Sequence, residues 1–160
     1  MKRFMLGMMF IVLGFVLVFG ETYEHKEGGL SIWFPDTWKI KAEENVLEAD
    51  APDEDAYVQL LMLEDVETME TAIDALVEEL APIVKNFKLT TEGQEEKFNG
   101  LNFYLVEGEG MVEGVKMGVS VVLIATPKEQ IGMMTLLCPE VVYKKYEKDF
   151  EKIIKNIKAI

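Results

Sequence analysis

The sequence predicts an α+β domain in which strands and a helix precede an antiparallel meander and a closing helix. Three observations carry that expectation. Apolar residues recur at steps of three and four in two separate stretches, Met69 to Phe87 and Val142 to Ile157, which is the helical period. Between them lie Asn99-Gly100 and Glu113-Gly114, dipeptides that tolerate positive φ and so mark tight hairpins between strand-like runs. In Val119–Ile124 and Met133–Cys138 both alternation phases are apolar, the pattern of strands covered on both faces.

Lys2 and Arg3 precede an unbroken apolar or glycine run from Phe4 to Phe19, closed by Gly20. A positive end, an apolar core and a small residue before polar sequence mark residues 1–20 as a secretory signal peptide, leaving 21–160 as a single domain. The 16-residue run is shorter than the roughly 20 residues that span a bilayer comfortably. The alternative is an uncleaved anchor, because Val18 and Phe19 are bulky beside a cleavage site. Membrane contact is expected only through this segment, and only if it is kept. No Cys stands near position 20, so a lipoprotein is excluded. The expected location is extracytoplasmic, periplasmic or secreted.

Glu21 to Gly29 reads as a flexible polar lead-in that carries His25 as a solvated surface residue. Leu30 to Phe34 is a short β-type run stopped by Pro35, which cannot donate to a ladder. Trp38-Lys39-Ile40-Lys41 alternates as a half-buried strand, Val46 and Leu47 continue the sheet, and Tyr57 to Leu63 is the next apolar strand. The stretch from Val66 to Phe87 predicts a helix of about five turns, capped by Asp65 or Thr68 and kinked or ended early by Pro82. Leu89 to Phe98 is a mostly polar strand near an edge. Leu101–Val112, Val115–Ala125 and Ile131–Cys138 complete the meander. The closing helix, Glu140 to about Ile157, buries Val142, Tyr146, Phe150, Ile153 and Ile157 and exposes Lys144, Lys145, Lys148, Lys152 and Lys155.

The run Leu30-Ser31-Ile32-Trp33-Phe34-Pro35-Asp36-Thr37-Trp38 resembles the opening strand, proline and downstream tryptophan of the Mog1/PsbP-like superfamily. The helix after the early strands, the Asn99-Gly100 hairpin and the Tyr and Phe on the closing helix are similar too, so the resemblance covers nearly all of residues 28–158. It implies an α/β/α sandwich with a central, mainly antiparallel, six- to seven-stranded sheet and two main helices packed on its two sides. Members of that superfamily include thylakoid-lumen photosystem II subunits, a Ran-binding nuclear factor and many exported bacterial proteins. Most act by binding other proteins and share no catalytic site. The resemblance therefore implies a non-catalytic, protein-binding or accessory module of the cell envelope, with an unidentified protein as partner.

Composition narrows the chemistry. Sixteen Lys plus Arg against 29 Asp plus Glu leave a net charge of −13, which repels phosphate and excludes a basic nucleic-acid binder. One His and one Cys exclude a disulfide framework and any zinc site built on several His or Cys. Cys138, on an apolar strand, reads as packing. The densest charge cluster is Glu43, Glu44, Glu48, Asp50, Asp53, Glu54 and Asp55, without a Lys or Arg among them. Asp50, Asp53 and Asp55 form a weak Ca²⁺ candidate, although their spacing is not that of an EF-hand and a solvated acidic loop is the plainer reading.

No cofactor is expected and no residue is singled out as catalytic. Trp33 and Trp38 with the exposed row Lys144, Lys148 and Lys152 make a candidate binding surface, against the plainer readings of core packing and a solvated helix face. The alternative to a protein-binding module is a carrier of a small ligand or Ca²⁺, using the gap between sheet and helix or the acidic loop.

Overall fold

The computed structural model describes residues 20–43 and 45–160. The expected signal segment thus lies outside the described residues except for Gly20, and so does Glu44. Gly20 already belongs to the first strand, β1 (Gly20–His25). There follow β2 (Leu30–Pro35), β3 (Lys39–Ala42), β4 (Val46–Asp50), β5 (Tyr57–Met62), helix α1 (Met69–Leu80), β6 (Lys85–Leu89) and β7 (Gln94–Phe98). The meander continues through β8 (Leu101–Val112), β9 (Val115–Ala125) and β10 (Ile131–Pro139). A single 3₁₀ turn (Glu140–Val142) leads into α2 (Tyr143–Lys155), and β11 (Lys158–Ala159) ends the chain.

Among the described residues two sheets form, and every pairing in them is antiparallel. The larger has eight strands in the order β3-β4-β5-β10-β9-β8-β6, with β7 also paired to β8; the smaller is β1-β2-β11. Successive side chains of a strand point to opposite faces, so β9 feeds two cores at once. Val119, Val121 and Leu123 pack with Ala72, Leu76 and Leu80 of α1. Val122 and Ile124 pack on the other face with Tyr146, Phe150 and Ile153 of α2 and with Leu30, Ile32 and Phe34 of β2. The α/β/α sandwich is present, with the small sheet sharing the α2 layer.

Three differences from the sequence reading have local causes. First, α1 spans 12 residues, shorter than the five-turn expectation. Thr68 caps it by accepting from the Thr71 N–H, and it stops at Pro82, which has no N–H to continue the ladder although Ala81 before it is still helical. Phe87, freed from the helix, joins β6.

Second, the edge expected as one strand is split, which helps bring the large sheet to eight strands. Between Leu89↔Gly108 and Gln94↔Leu105 the edge chain advances five residues while β8 advances three. The surplus bulges out at Thr90–Gly93, where Thr90 and Thr91 N–H both donate to the Glu107 carbonyl and the Thr91 hydroxyl accepts from the Glu107 N–H.

Third, the lead-in is not flexible, because it pairs with β2 from Gly20↔Pro35 through His25↔Leu30. His25 is accordingly buried, at 3% exposure, and is not a solvated residue. Its Nδ1 accepts from the Gly28 N–H at 3.1 Å, holding the β1–β2 turn. That acceptor role puts the ring proton on Nε2, which is buried without a hydrogen-bond partner among the described residues. His25→Leu should leave the Gly28 N–H unsatisfied at a cost of about 1–3 kcal/mol, and His25→Asn, which keeps an acceptor, should cost less. Urea unfolding midpoints of the two variants check the order.

Candidate functional site

The residues singled out in the sequence are scattered by the fold. Trp38 is only 5% exposed, and its ring lies 6.5 Å from Phe34, 6.1 Å from Tyr146 and 6.3 Å from Phe150. It belongs to the core between β2 and α2. Trp33 stands in the opposite phase of β2, partly buried, with its indole lying over Gly20. Lys144, Lys148 and Lys152 form an exposed row along α2.

The acidic loop is held by Lys39 and Lys41 of the preceding strand and by Lys145 of α2. The Asp53 carboxylate accepts from the Lys145 ammonium and the Tyr146 hydroxyl of α2, and from the Asp55 N–H at 3.3 Å. Lys39 meets Glu54 at 3.3 Å, and Lys41 meets Glu43 at 2.9 Å and Glu48 at 3.8 Å. Asp50 lies at the end of β4, in register with Lys39 and Tyr57. Among the described residues, no three His, Cys, Asp or Glu side chains stand close enough together to hold a metal ion.

The donors from Lys145 and Tyr146 pull the Asp53 carboxyl from its ordinary 3.8 to about 2. The folded value lies below the unfolded one, so the contribution to stability is complete above the ordinary value and is lost as pH falls through about 2. Asp53→Asn should therefore flatten the decline of stability between pH 5 and pH 2, read from denaturation midpoints at a series of pH values. Cys138 is fully buried, and burial alone raises its thiol to about 11, so it is packing without reactivity.

One site forms that no single stretch of sequence announces. α2 packs against β2 and β10, and on the neighbouring face of β8 Leu101 and Phe103 are buried while Leu105 is only partly covered and Glu107 is exposed. The Thr90–Gly93 bulge stands on the far side, and between bulge and helix runs a cleft of about 250 Å³. Leu105, Val122, Phe150 and Ile154 supply its apolar lining, and Glu92, Glu107, Glu147 and Glu151 are exposed on its rim. Glu107 and Ser120 are cross-strand partners, one pair along on the same face from Leu105↔Val122.

Over them lies Tyr143, whose hydroxyl is 3.4 Å from Glu107 Oε1 and whose ring crosses Gly118. Burial, reinforced by the Glu107 and Glu147 carboxylates and opposed by a hydrogen bond with Ser120, holds the Tyr143 phenol above its ordinary range. At neutral pH it is a hydrogen-bond donor, not a base. Sequence reasoning passes over Glu107, yet β8 carries a signal for it. Leu101, Phe103 and Leu105 share one phase of the strand, and the next residue in that phase is a carboxylate.

No protein-family model matches the chain, and no curated protein sequence matches it. Solved structures do match its fold. Cyanobacterial PsbP (CyanoP) from Synechocystis sp. PCC 6803 superposes with a TM-score of 0.66 at 12% identity, over 92% of this chain and 96% of that one. LpqN, involved in cell envelope biogenesis of Mycobacterium tuberculosis, gives 0.57 at 12% identity over 88% and 90%. A protein of unknown function and putative regulator from Pseudomonas aeruginosa, PA94, gives 0.56 at 16% identity over 86% and 94%. The chain has the PsbP-like fold that the resemblance implied, and at these identities the likeness concerns the fold alone.

Proposed function

We propose that this chain is a non-catalytic exported protein, an accessory module of the cell envelope that works by holding another protein. The observation that carries the reading is the cleft between α2 and β8: an apolar floor, a polar rim and open access from one side. Its ionisable groups are exposed carboxylates and a phenol held above its ordinary range by burial, a set suited to recognition. Its volume falls below the roughly 300–1,000 Å³ of pockets that enclose small ligands, so this cleft suits a surface contact better than an enclosed metabolite. Export rests on the pattern of residues 1–20. The likeness to LpqN, a protein involved in cell envelope biogenesis, supports the same location.

The test is photo-crosslinking in the native host with a photoreactive residue placed at Gln94 or Glu147 on the rim, or at Asp74 on the exposed face of α1. Discrete adducts from the rim positions and none from Asp74 are expected. A folded protein that yields no adduct from any position would remove the reading.

A further inference from the structure

We propose that the cleft between α2 and β8 receives a lysine or arginine side chain presented by the partner polypeptide. The aliphatic stem would lie on Leu105, Val122 and Ile154, and the cationic head would meet Glu107 and Glu147. The proposal deepens the protein-binding reading above and rests on it.

Charge is the first ground. Among the described residues, the lining carries four carboxylates and no Lys, Arg or His. Of the four, Glu151 is met by Lys155 at 3.4 Å and Glu107 accepts from Tyr143, whereas the lysine row of α2 is exposed and none of its three members lines the cleft. Shape is the second. An apolar floor bounded by anions matches a side chain that buries methylenes while its charge stays at the wet rim. The volume suits one long side chain and is too small to enclose most of a drug-sized molecule.

Position is the third. The rim carboxylates are exposed, so each adds only a modest attraction for a lone cation, and two of them together with the apolar floor give weak binding of a free side chain. A side chain delivered by a docked polypeptide arrives with its orientation already set, and the charge match then governs partner choice and encounter rate.

The test is amide NMR on the full-length chain, titrated at low salt with the Nα-acetyl methylamides of lysine, arginine, norleucine and glutamate. The lysine and arginine probes should shift the amides of Leu105, Ser120 and Ile154 saturably, with a roughly millimolar dissociation constant. The norleucine probe should bind at least tenfold more weakly, and the glutamate probe should leave these amides unmoved. Raising the salt should weaken the basic probes. Glu107→Gln combined with Glu147→Gln should weaken them about tenfold while amide dispersion is kept.

Three results would overturn the proposal: norleucine matching lysine, shifts spread without saturation over other acidic stretches such as Glu64–Glu67, or no shift at all. The probe series and salt dependence need only the unsubstituted chain, so the proposal stays testable should the double variant misfold. Rim adducts in the crosslinking experiment alongside such a result would leave protein binding standing and remove the basic side chain alone.

Discussion

Trp38→Ala is expected to lower the unfolding free energy by about 3–5 kcal/mol, the range for emptying a large aromatic site in a core. The indole is buried and touches three aromatic rings, two of them on α2. It therefore joins the layer that carries the cleft wall to β2, and its loss leaves a cavity that close-packed neighbours fill only in part. Trp33→Ala, by contrast, should cost only about 1 kcal/mol, because that ring is partly exposed. Urea denaturation of both variants at neutral pH measures the difference. Near-equal losses would show that Trp38 does not tie α2 down.

Gly108→Ala is the second large effect. A Cβ at this position would stand 2.6 Å from the Lys88 carbonyl oxygen and would overlap the Phe87 ring. A backbone oxygen cannot swing aside as a side-chain tip can, so β6 must move away from β8 where the edge is already interrupted. A loss of about 1–3 kcal/mol is expected, as for overpacking. Gly118→Ala is the control. Its added Cβ meets the Cys138 carbonyl oxygen at 3.6 Å and the Tyr143 ring at 3.7 Å, ordinary contact distances, and stability should change little. Thermal midpoints of the two variants would separate them; equal midpoints would mean that the edge at Lys88 yields freely.

The hairpins are legible in the amino-acid sequence because their cause is local. Asn99 and Gly100 have φ of 50° and 81°, and Glu113 and Gly114 have φ of 50° and 81°, a conformation that few neighbours of these runs would accept. The stripe of α2 and the double-sided burial of β9 and β10 are legible for the same kind of reason, since periodicity is written in adjacent residues. His25 escapes such reasoning because its burial comes from pairing with β2 and from the turn it caps, neither of which leaves a mark on the polar run Glu21–Gly29. Lys39 and Lys41 stand just before the acidic run, but their pairing with Glu54 and Glu48 depends on how β3 and the loop fold back, and Lys145 reaches Asp53 from a helix some ninety residues away.

The order and type of most elements follow from the amino-acid pattern, because hydrophobic period and turn stereochemistry act over a few residues at a time. The layering is what the superfamily resemblance implies, and β1 and β11 leave no such pattern. Asn99 marks where that reach ends. As a turn residue it is legible, but its side-chain amide also donates to the carbonyls of Lys155 at 2.9 Å and Ile157 at 2.8 Å, tying the meander to the end of α2. The cleft is of the second kind. Thr91, Glu107 and Glu147 lie far apart along the chain and meet because a bulge, a strand face and a helix flank are docked at fixed positions. Such a meeting depends on packing across the whole sandwich, and no local rule contains it.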